Sequence, residues 1–188
     1  MKVTREQAIR NQERIVETAA QRFRERGFEG IGVADLMREA GLTHGGFYGH
    51  FSSKEDLIAE ASDRALMGSL ALFTKVAERS PADPLSEIAG AYLSTKHRDK
   101  PGEGCLLAAL GPDVSRQGPT VRRAVADHLR AAVDLLAKLV PGKSKAARRQ
   151  KAISTYATLV GSMVMARAVD DRALSQEILD AGLESVKA

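Results

Sequence analysis

A chain of 188 residues is long enough for one domain of ordinary size, or for a small head joined to a larger body. It is 44% hydrophobic and 28% charged, which excludes a chain that is disordered throughout, and its single cysteine, Cys105, excludes an internal disulfide framework. The net charge of +4 does not locate a nucleic-acid-binding face, because residues 1–60 carry nine Lys or Arg against ten Asp or Glu.

The first third of the chain predicts three helices, over residues 4–26, 33–41 and 43–51. In the first, Ile15, Ala19 and Phe23 recur at four-residue steps and form one apolar face. Gly27 supplies its stop, and Thr43 can act as N-cap of the third helix. Together these signals predict a small three-helix unit at the N-terminus.

The rest of the chain predicts six more helices. The fourth begins at "SSKEDL", where Ser52 or Ser53 precedes acidic residues at a capping spacing. Residues 96–104 predict a polar loop, and the helix after them is expected to break near Gly111 and Pro112. No period-two alternation persists, so we expect an all-α fold of about nine helices, the later ones at about 53–79, 84–95, 105–118, 119–140, 147–169 and 174–187.

The predicted third helix contains three glycines, Gly45, Gly46 and Gly49. Each glycine inside a helix costs about 1 kcal/mol relative to alanine. The segment is therefore either a loop or a helix whose backbone must approach another molecule closely. Because a three-residue turn, "GLT", joins it to the second helix, the spacing predicts a helix-turn-helix, in which this helix would enter the major groove of DNA.

Residues 19–60 resemble the DNA-binding head of TetR-type (tetracycline-repressor-type) transcriptional regulators. The matching features are "F…GF" before the second helix, "AGLT-x-G-x-FY-x-HF" over the turn and third helix, and "SKEDL" at the start of the fourth. The resemblance implies a helix-turn-helix head, residues 1–53, followed by a helical effector-binding and dimerisation body, residues 54–188. The body carries no comparable motif, and its resemblance to the body of these regulators is limited to length and helical character.

Carried over to this chain, the resemblance implies that the recognition helix and its neighbours contact DNA. In it, Lys54 would contact phosphate, while His44 and Gly49 would help select the base sequence. At the N-cap of the second helix the family has Thr or Ser, whereas this chain has Gly32, which loses a hydroxyl contact to phosphate. The complete set of expected DNA-binding residues is Gly32, Thr43, His44, Gly45, Gly46, Tyr48, Gly49, His50 and Lys54.

In the body, apolar and sulfur-containing side chains are candidates for an effector pocket, although they are equally suited to a core. These candidates are Met67, Phe73, Tyr92, Cys105 and Met163. Small residues in the penultimate helix permit close helix approach and predict a four-helix dimer interface made by the last two helices of each chain. These are Ser154, Ala157, Thr158, Gly161, Ser162 and Ala166.

Cys105 at the start of a helix also admits a redox or electrophile sensor, against the alternative of a small buried core residue. An enzyme finds little support, because the chain has no G-x-S-x-G elbow, phosphate-binding loop or dinucleotide motif, and its four histidines lack metal-ligand spacing. We predict no catalytic residue, metal or cofactor. A helical scaffold without a DNA role is the other alternative.

Taken together, these features predict a homodimeric repressor that binds a near-palindromic operator and is released by a small-molecule effector. No apolar run reaches the length of a signal peptide or a membrane span, so we expect a cytoplasmic protein that does not contact a membrane.

Overall fold

The computed structural model describes residues 4–187, and these residues form nine α-helices, two short 3₁₀ helices and no strand. The expected all-α fold is therefore confirmed. The elements are α1 (Arg5–Arg26), α2 (Val33–Glu39), η1 (His44–Gly49), α3 (Lys54–Arg79), α4 (Pro84–Tyr92), α5 (Thr95–Asp99), η2 (Pro101–Glu103), α6 (Leu106–Ser115), α7 (Pro119–Leu139), α8 (Lys145–Ala168) and α9 (Arg172–Lys187). Among the described residues, no helix is long and apolar enough to cross a membrane.

Two expectations about the middle of the chain are wrong. Residues 96–104 do not form a loop but the short helices α5 and η2, because the Ser94 side chain accepts the His97 N–H at 3.2 Å and caps α5. The second is the predicted break near Gly111 and Pro112, since α6 runs through both residues. A proline within a helix removes one hydrogen bond, and the burial of four α6 side chains offsets that loss.

The helix α3 joins two apolar cores. Its 26 residues span roughly 39 Å, and they bury Leu57 in the first core and Phe73 in the second. The first core contains the head side chains Phe23 and Phe47, and also Leu110 from α6. The division between residues 53 and 54 stays a prediction, while the apolar contacts continue from the head into the body.

The last two helices approach each other closely. A Cβ atom on Gly182 of α9 would lie 2.3 Å from the Ser162 Oγ of α8, so only glycine fits this crossing. One turn further along, the Ser175 hydroxyl donates to the carbonyl of Ala166 at 2.6 Å. Part of the small-residue stripe of α8 is therefore used for packing inside the chain.

Candidate nucleic-acid interface and body cavity

A glycine in the left-handed region forms the turn between α2 and η1. Gly41 has φ +69°, and its N–H donates to the carbonyl of Arg38 at 2.9 Å. The next residue, Leu42, donates to the carbonyl of Met37 at 2.8 Å. This pair of bonds is the Schellman arrangement, which ends a helix and redirects the chain. It sets the angle at which η1 leaves α2.

A side chain from α1 holds the same turn. The Arg14 guanidinium donates through Nη2 to the carbonyl of Ala40, the last residue before Gly41. A Cβ atom on Gly41 would lie 2.7 Å from that nitrogen, so glycine is needed here for space as well as for φ. The sequence pattern gave Arg14 only as part of the polar face of α1, because a contact across 26 residues has no local signal.

The recognition element is a 3₁₀ helix of six residues rather than a longer α-helix. Phe47 anchors it with a side chain that is 1% exposed, stacked on Phe51 with ring centroids 5.5 Å apart. Tyr48 packs edge-on against Phe47 at 5.3 Å, yet it is 72% exposed. One side of η1 is thus fixed in the core while Tyr48 points away from it.

The three glycines of η1 are not required by the fold. A Cβ atom on Gly45 or Gly49 would meet nothing within 4 Å, and one on Gly46 would make ordinary contacts at 3.7 Å with Met37 and Thr43. None of the three has a positive φ angle. Alanine would therefore fit at each position within the chain itself, and the fold supplies no reason for glycine there.

The polar residues predicted to contact DNA lie around this exposed side of η1. Thr43 and Gly32 occupy the N-cap positions of η1 and α2 with extended backbones, but neither makes a side-chain capping bond. The prediction that Thr43 is the N-cap residue is therefore confirmed, although its hydroxyl makes no capping hydrogen bond. His44 is exposed and His50 is half-buried beside Phe51, with ring centroids 6.4 Å apart.

Lys54, the first residue of α3, is the expected phosphate ligand. Its ammonium lies 3.3 Å from the carboxylate of Glu29, which is itself well exposed. An exposed ion pair of this kind contributes little to stability, so a phosphate group could replace the carboxylate at small cost. The start of α3 is fixed by Ser53, whose hydroxyl accepts the Asp56 N–H at 3.1 Å, as the capping signal predicted.

A cavity of about 1580 Å³ lies between α1, α3 and the segment from Ile88 to Cys105. Four of the five predicted pocket residues, Met67, Phe73, Tyr92 and Cys105, line it. Met163 does not, because it lies fully buried on the inner face of α8 in the second core. The cavity therefore touches both the first helix of the head and the middle of the body.

His97 organises the wall of this cavity. Its Nδ1 lies 2.6 Å from the Tyr92 carbonyl, and its Nε2 accepts the backbone N–H of Cys105 at 3.0 Å. Because that N–H is a donor, Nε2 must be unprotonated and Nδ1 carries the proton. Burial lowers the pKa of His97, outweighing the hydrogen bond to Tyr92, and the nearby Arg167 cation lowers it further. The neutral imidazole of His97 thus holds the segment before α6 in place.

Cys105 lies at the N-cap position of α6 and is buried. Its Sγ is 3.8 Å from the hydroxyl of Tyr156, and burial raises the pKa of Tyr156 above its ordinary value. The thiol therefore contacts a neutral phenol on the body side and the cavity on the other.

Two buried guanidinium groups lie close to the same wall. Arg24 of α1 donates through Nε to the carbonyl of Gly102 at 2.9 Å, and Arg167 of α8 donates to the carbonyls of Arg98 and His97 at 3.1 and 2.5 Å. One nitrogen of each, Nη1, is buried without a hydrogen-bond partner among the described residues. No local sequence signal marks either arginine, because their partners lie 69 to 78 residues away.

The predicted dimer residues divide into two groups. Ser154 and Ala157 are exposed and Thr158 and Gly161 are half-buried, whereas Ser162 and Ala166 pack toward α9 within the chain. Larger apolar side chains are exposed on the last two helices, namely Ile153, Val164, Met165 and Leu174.

The fold and the recognition turn define a helix-turn-helix protein whose later helices pack against the head. Residues 15–61 match the family model of bacterial regulatory proteins of the tetR family. The HTH-type transcriptional regulator YfiR of Bacillus subtilis is 30% identical over 118 residues, 53% of this chain and 58% of that protein. The HTH-type transcriptional repressor DhaR of a Mycobacterium species is 27% identical over 108 residues, 57% and 54% of the two chains.

The alignments thus span little more than half the length of these curated relatives. Over the rest of the chain, the similarity to known proteins is one of fold. The reduced form of Escherichia coli NemR superposes with a TM-score of 0.78 over 95% of both chains, at 24% identity. That likeness shows that the arrangement of helices is the same along nearly the whole length. The head is thus similar in sequence to the tetR family of bacterial regulatory proteins, and nearly the whole chain is similar in fold to NemR.

Proposed function

We propose that this chain is a sequence-specific DNA-binding repressor that acts as a homodimer in the cytoplasm and is released from its operator by a small molecule. The observation that carries the proposal is the recognition helix η1. Its anchor Phe47 is buried, its Tyr48 is exposed, and its Gly45 and Gly49 leave open space where a DNA backbone could approach. The naming of DhaR as a repressor supports repression over activation.

The test begins with selection of bound fragments from randomised duplex DNA at about 150 mM salt, since affinity depends strongly on salt. An inverted repeat with half-sites about 34 Å apart is expected for a two-fold dimer. Tyr48→Ala should then weaken operator binding tenfold or more, about 1–3 kcal/mol, without changing the unfolding of the body. Tyr48→Phe is the matched control that retains the ring. Recovery of no common sequence by a folded protein would contradict the proposal.

The dimer surface that we propose is the exposed side of α8 together with α9. Ile153, Ala157, Gly161 and Val164 follow each other at steps of four, four and three residues, and none of them is buried within the chain. This is the spacing of a helix face that packs against another helix. This surface uses the larger apolar residues Ile153 and Val164 in place of Ser162 and Ala166, the members of the predicted set that face inward.

Release by an effector requires that the cavity and the head communicate. Both Arg24 of α1 and the Gly102 turn that it contacts line the cavity, so a bound molecule touches the head and the body at one point. A molecule that binds one head orientation more tightly than the other shifts the population toward it.

A thiol-based sensor is the second candidate, because Cys105 lines the cavity and the structural relative NemR is described in a reduced form. Oxidant-dependent loss of operator binding in the parent protein, absent in Cys105→Ser, would favour it. Equal responses of the two proteins would leave Cys105 as a buried packing residue.

A further inference from the structure

The two buried guanidinium groups near the cavity have no carboxylate partner. Neither Arg24 nor Arg167 forms an ion pair with any described residue, and their hydrogen bonds go to backbone carbonyls. Burial lowers the pKa of Arg24, yet an arginine remains charged at neutral pH. Glu17 and Glu25 act on the Arg24 charge only through space and form no ion pair with it, so its guanidinium has no direct anionic partner.

Three polar atoms in this region also lack hydrogen-bond partners among the described residues: Arg24 Nη1, Arg167 Nη1 and the hydroxyl of Tyr92. Arg24 and Tyr92 line the cavity directly, and the Tyr92 side chain is only 5% exposed. Buried donors of this kind are nearly always satisfied in functional proteins. The cavity wall thus presents a guanidinium N–H and a phenol O–H, both suited to an anionic oxygen.

The acidic residues that line the cavity come from α1, α3 and η2, and several of them are already engaged. Asp63 is 2.7 Å from His128, Glu60 accepts from Gln12 at 3.1 Å, and the carboxylate of Glu17 lies 3.9 Å from Arg64. Within the cavity, an anion is therefore favoured in direct contact with the Arg24 guanidinium, which forms no ion pair of its own.

The remaining surface of the cavity suits an apolar group. Phe73, Val76 and Ile88 line it beside Tyr92, and Met67 and Leu72 continue the apolar surface toward solvent. A pocket that combines apolar walls with one or two polar groups selects ligands that also combine an apolar part with a polar group.

We propose that the effector is an organic carboxylate with an apolar tail, whose carboxylate is bound by Arg24 and Tyr92 and whose tail lies against Phe73, Val76 and Ile88. This inference rests on the proposed ligand-responsive function and specifies its ligand class. Arg24 is also the residue that ties α1 to Gly102, so a carboxylate bound there competes with the carbonyl for the guanidinium. Binding at this point alters the contact between head and body directly.

The experiment uses the full-length protein and matched pairs of probes: octanoate with octanamide, decanoate with decanamide, and phenylacetate with phenylacetamide. Binding is measured by calorimetry and by the rise in Tm. We expect at least one acid to bind about tenfold more tightly than its amide, and acetate to bind more weakly than the longer acids. The proposal is overturned if no acid binds better than its amide, or if acetate binds as tightly as the longer acids.

Substitutions test which residues bind the carboxylate. In Arg24→Met, the affinity for the acid should fall to that for its amide, and in Tyr92→Phe the affinity for the acid should fall several-fold. Tyr156→Phe, which removes a hydroxyl outside the cavity, and Lys138→Met, which removes an exposed charge on α7, should leave binding unchanged. If Arg24→Met does not fold, Arg24→Lys and Tyr92→Phe test the same contact. Wild-type affinity for the acid in both variants would contradict the assignment of the carboxylate to Arg24 and Tyr92.

Operator binding is measured in parallel to separate the two proposals. Carboxylate binding by a protein that binds no operator would contradict the proposed function and leave the ligand class standing. Operator binding by a protein that ignores every acid in the panel would contradict the ligand class alone.

Discussion

The glycines of η1 allow a direct test of whether the recognition helix approaches another molecule closely. In Gly45→Ala and Gly49→Ala, the added Cβ atom meets nothing within 4 Å inside the chain, and neither residue has a positive φ angle. Alanine should therefore stabilise the helix by up to about 1 kcal/mol. For a chain of this length that corresponds to a rise in Tm of roughly 2–4 °C.

Operator binding should change in the opposite direction. If the backbone of η1 lies against DNA, each added methyl group must displace DNA or tilt the helix, and overpacking of this kind typically costs about 1–3 kcal/mol. Since about 1.4 kcal/mol corresponds to a tenfold change in Kd, the expected loss is about five- to a hundredfold. A single substitution would thus raise stability and lower affinity together.

Thermal unfolding and fluorescence anisotropy with the selected operator measure the two quantities on the same samples. Gly90→Ala is the matched control, because its added Cβ also meets nothing within 4 Å but lies in α4, outside the head and the cavity. It should leave the operator affinity unchanged. Wild-type affinity in Gly45→Ala and Gly49→Ala would refute the close approach, and a lower Tm would show that the fold itself requires these glycines.

Three further predictions concern the fold and its assembly. Gly30→Ala should destabilise the head by about 3 kcal/mol in thermal unfolding, because its Cβ would lie 1.8 Å from the Arg26 carbonyl oxygen. The pKa of His97 is lowered in the folded state, so the unfolded chain binds the extra proton and stability should fall as the pH drops below the ordinary value of 6.5. His97→Asn should flatten that part of a pH titration of Tm, and an unchanged slope would contradict the assigned neutral imidazole. Val164→Asp should shift the sedimentation profile from dimer to monomer while leaving the helix content unchanged, whereas a persistent dimer would exclude the α8 surface.

Local signals were sufficient for much of the fold. Apolar residues at helical spacing, such as Ile15 and Phe23, gave α1 because one face of a helix must be buried. The capping spacing at Ser53 gave the start of α3, since the hydroxyl satisfies an N–H group that the helix leaves unpaired. The recognition helix was located by the turn at Gly41, although its 3₁₀ geometry was not predicted.

The rest depends on contacts between distant parts of the chain. The helix α5 lies in a polar segment, and it is held by His97 packing edge-on against Tyr92 with ring centroids 4.6 Å apart. Arg14 and Arg24 carry no local signal of a partner, yet both donate to backbone carbonyls of other elements. No local pattern distinguishes such an arginine from an exposed one, because the distinction is made by the partner.

The positions of these two arginines connect the cavity to the recognition helix. Arg14 fixes the turn that leads into η1, and Arg24 contacts the Gly102 turn at the cavity. The two arginines are ten positions apart, about 15 Å along one continuous helix. A helix of this length packed into a core moves as a rigid element rather than bending. In the proposed response to an effector, a displacement of α1 at Arg24 would therefore reach the turn at Gly41 through α1 itself, at the contact made by Arg14.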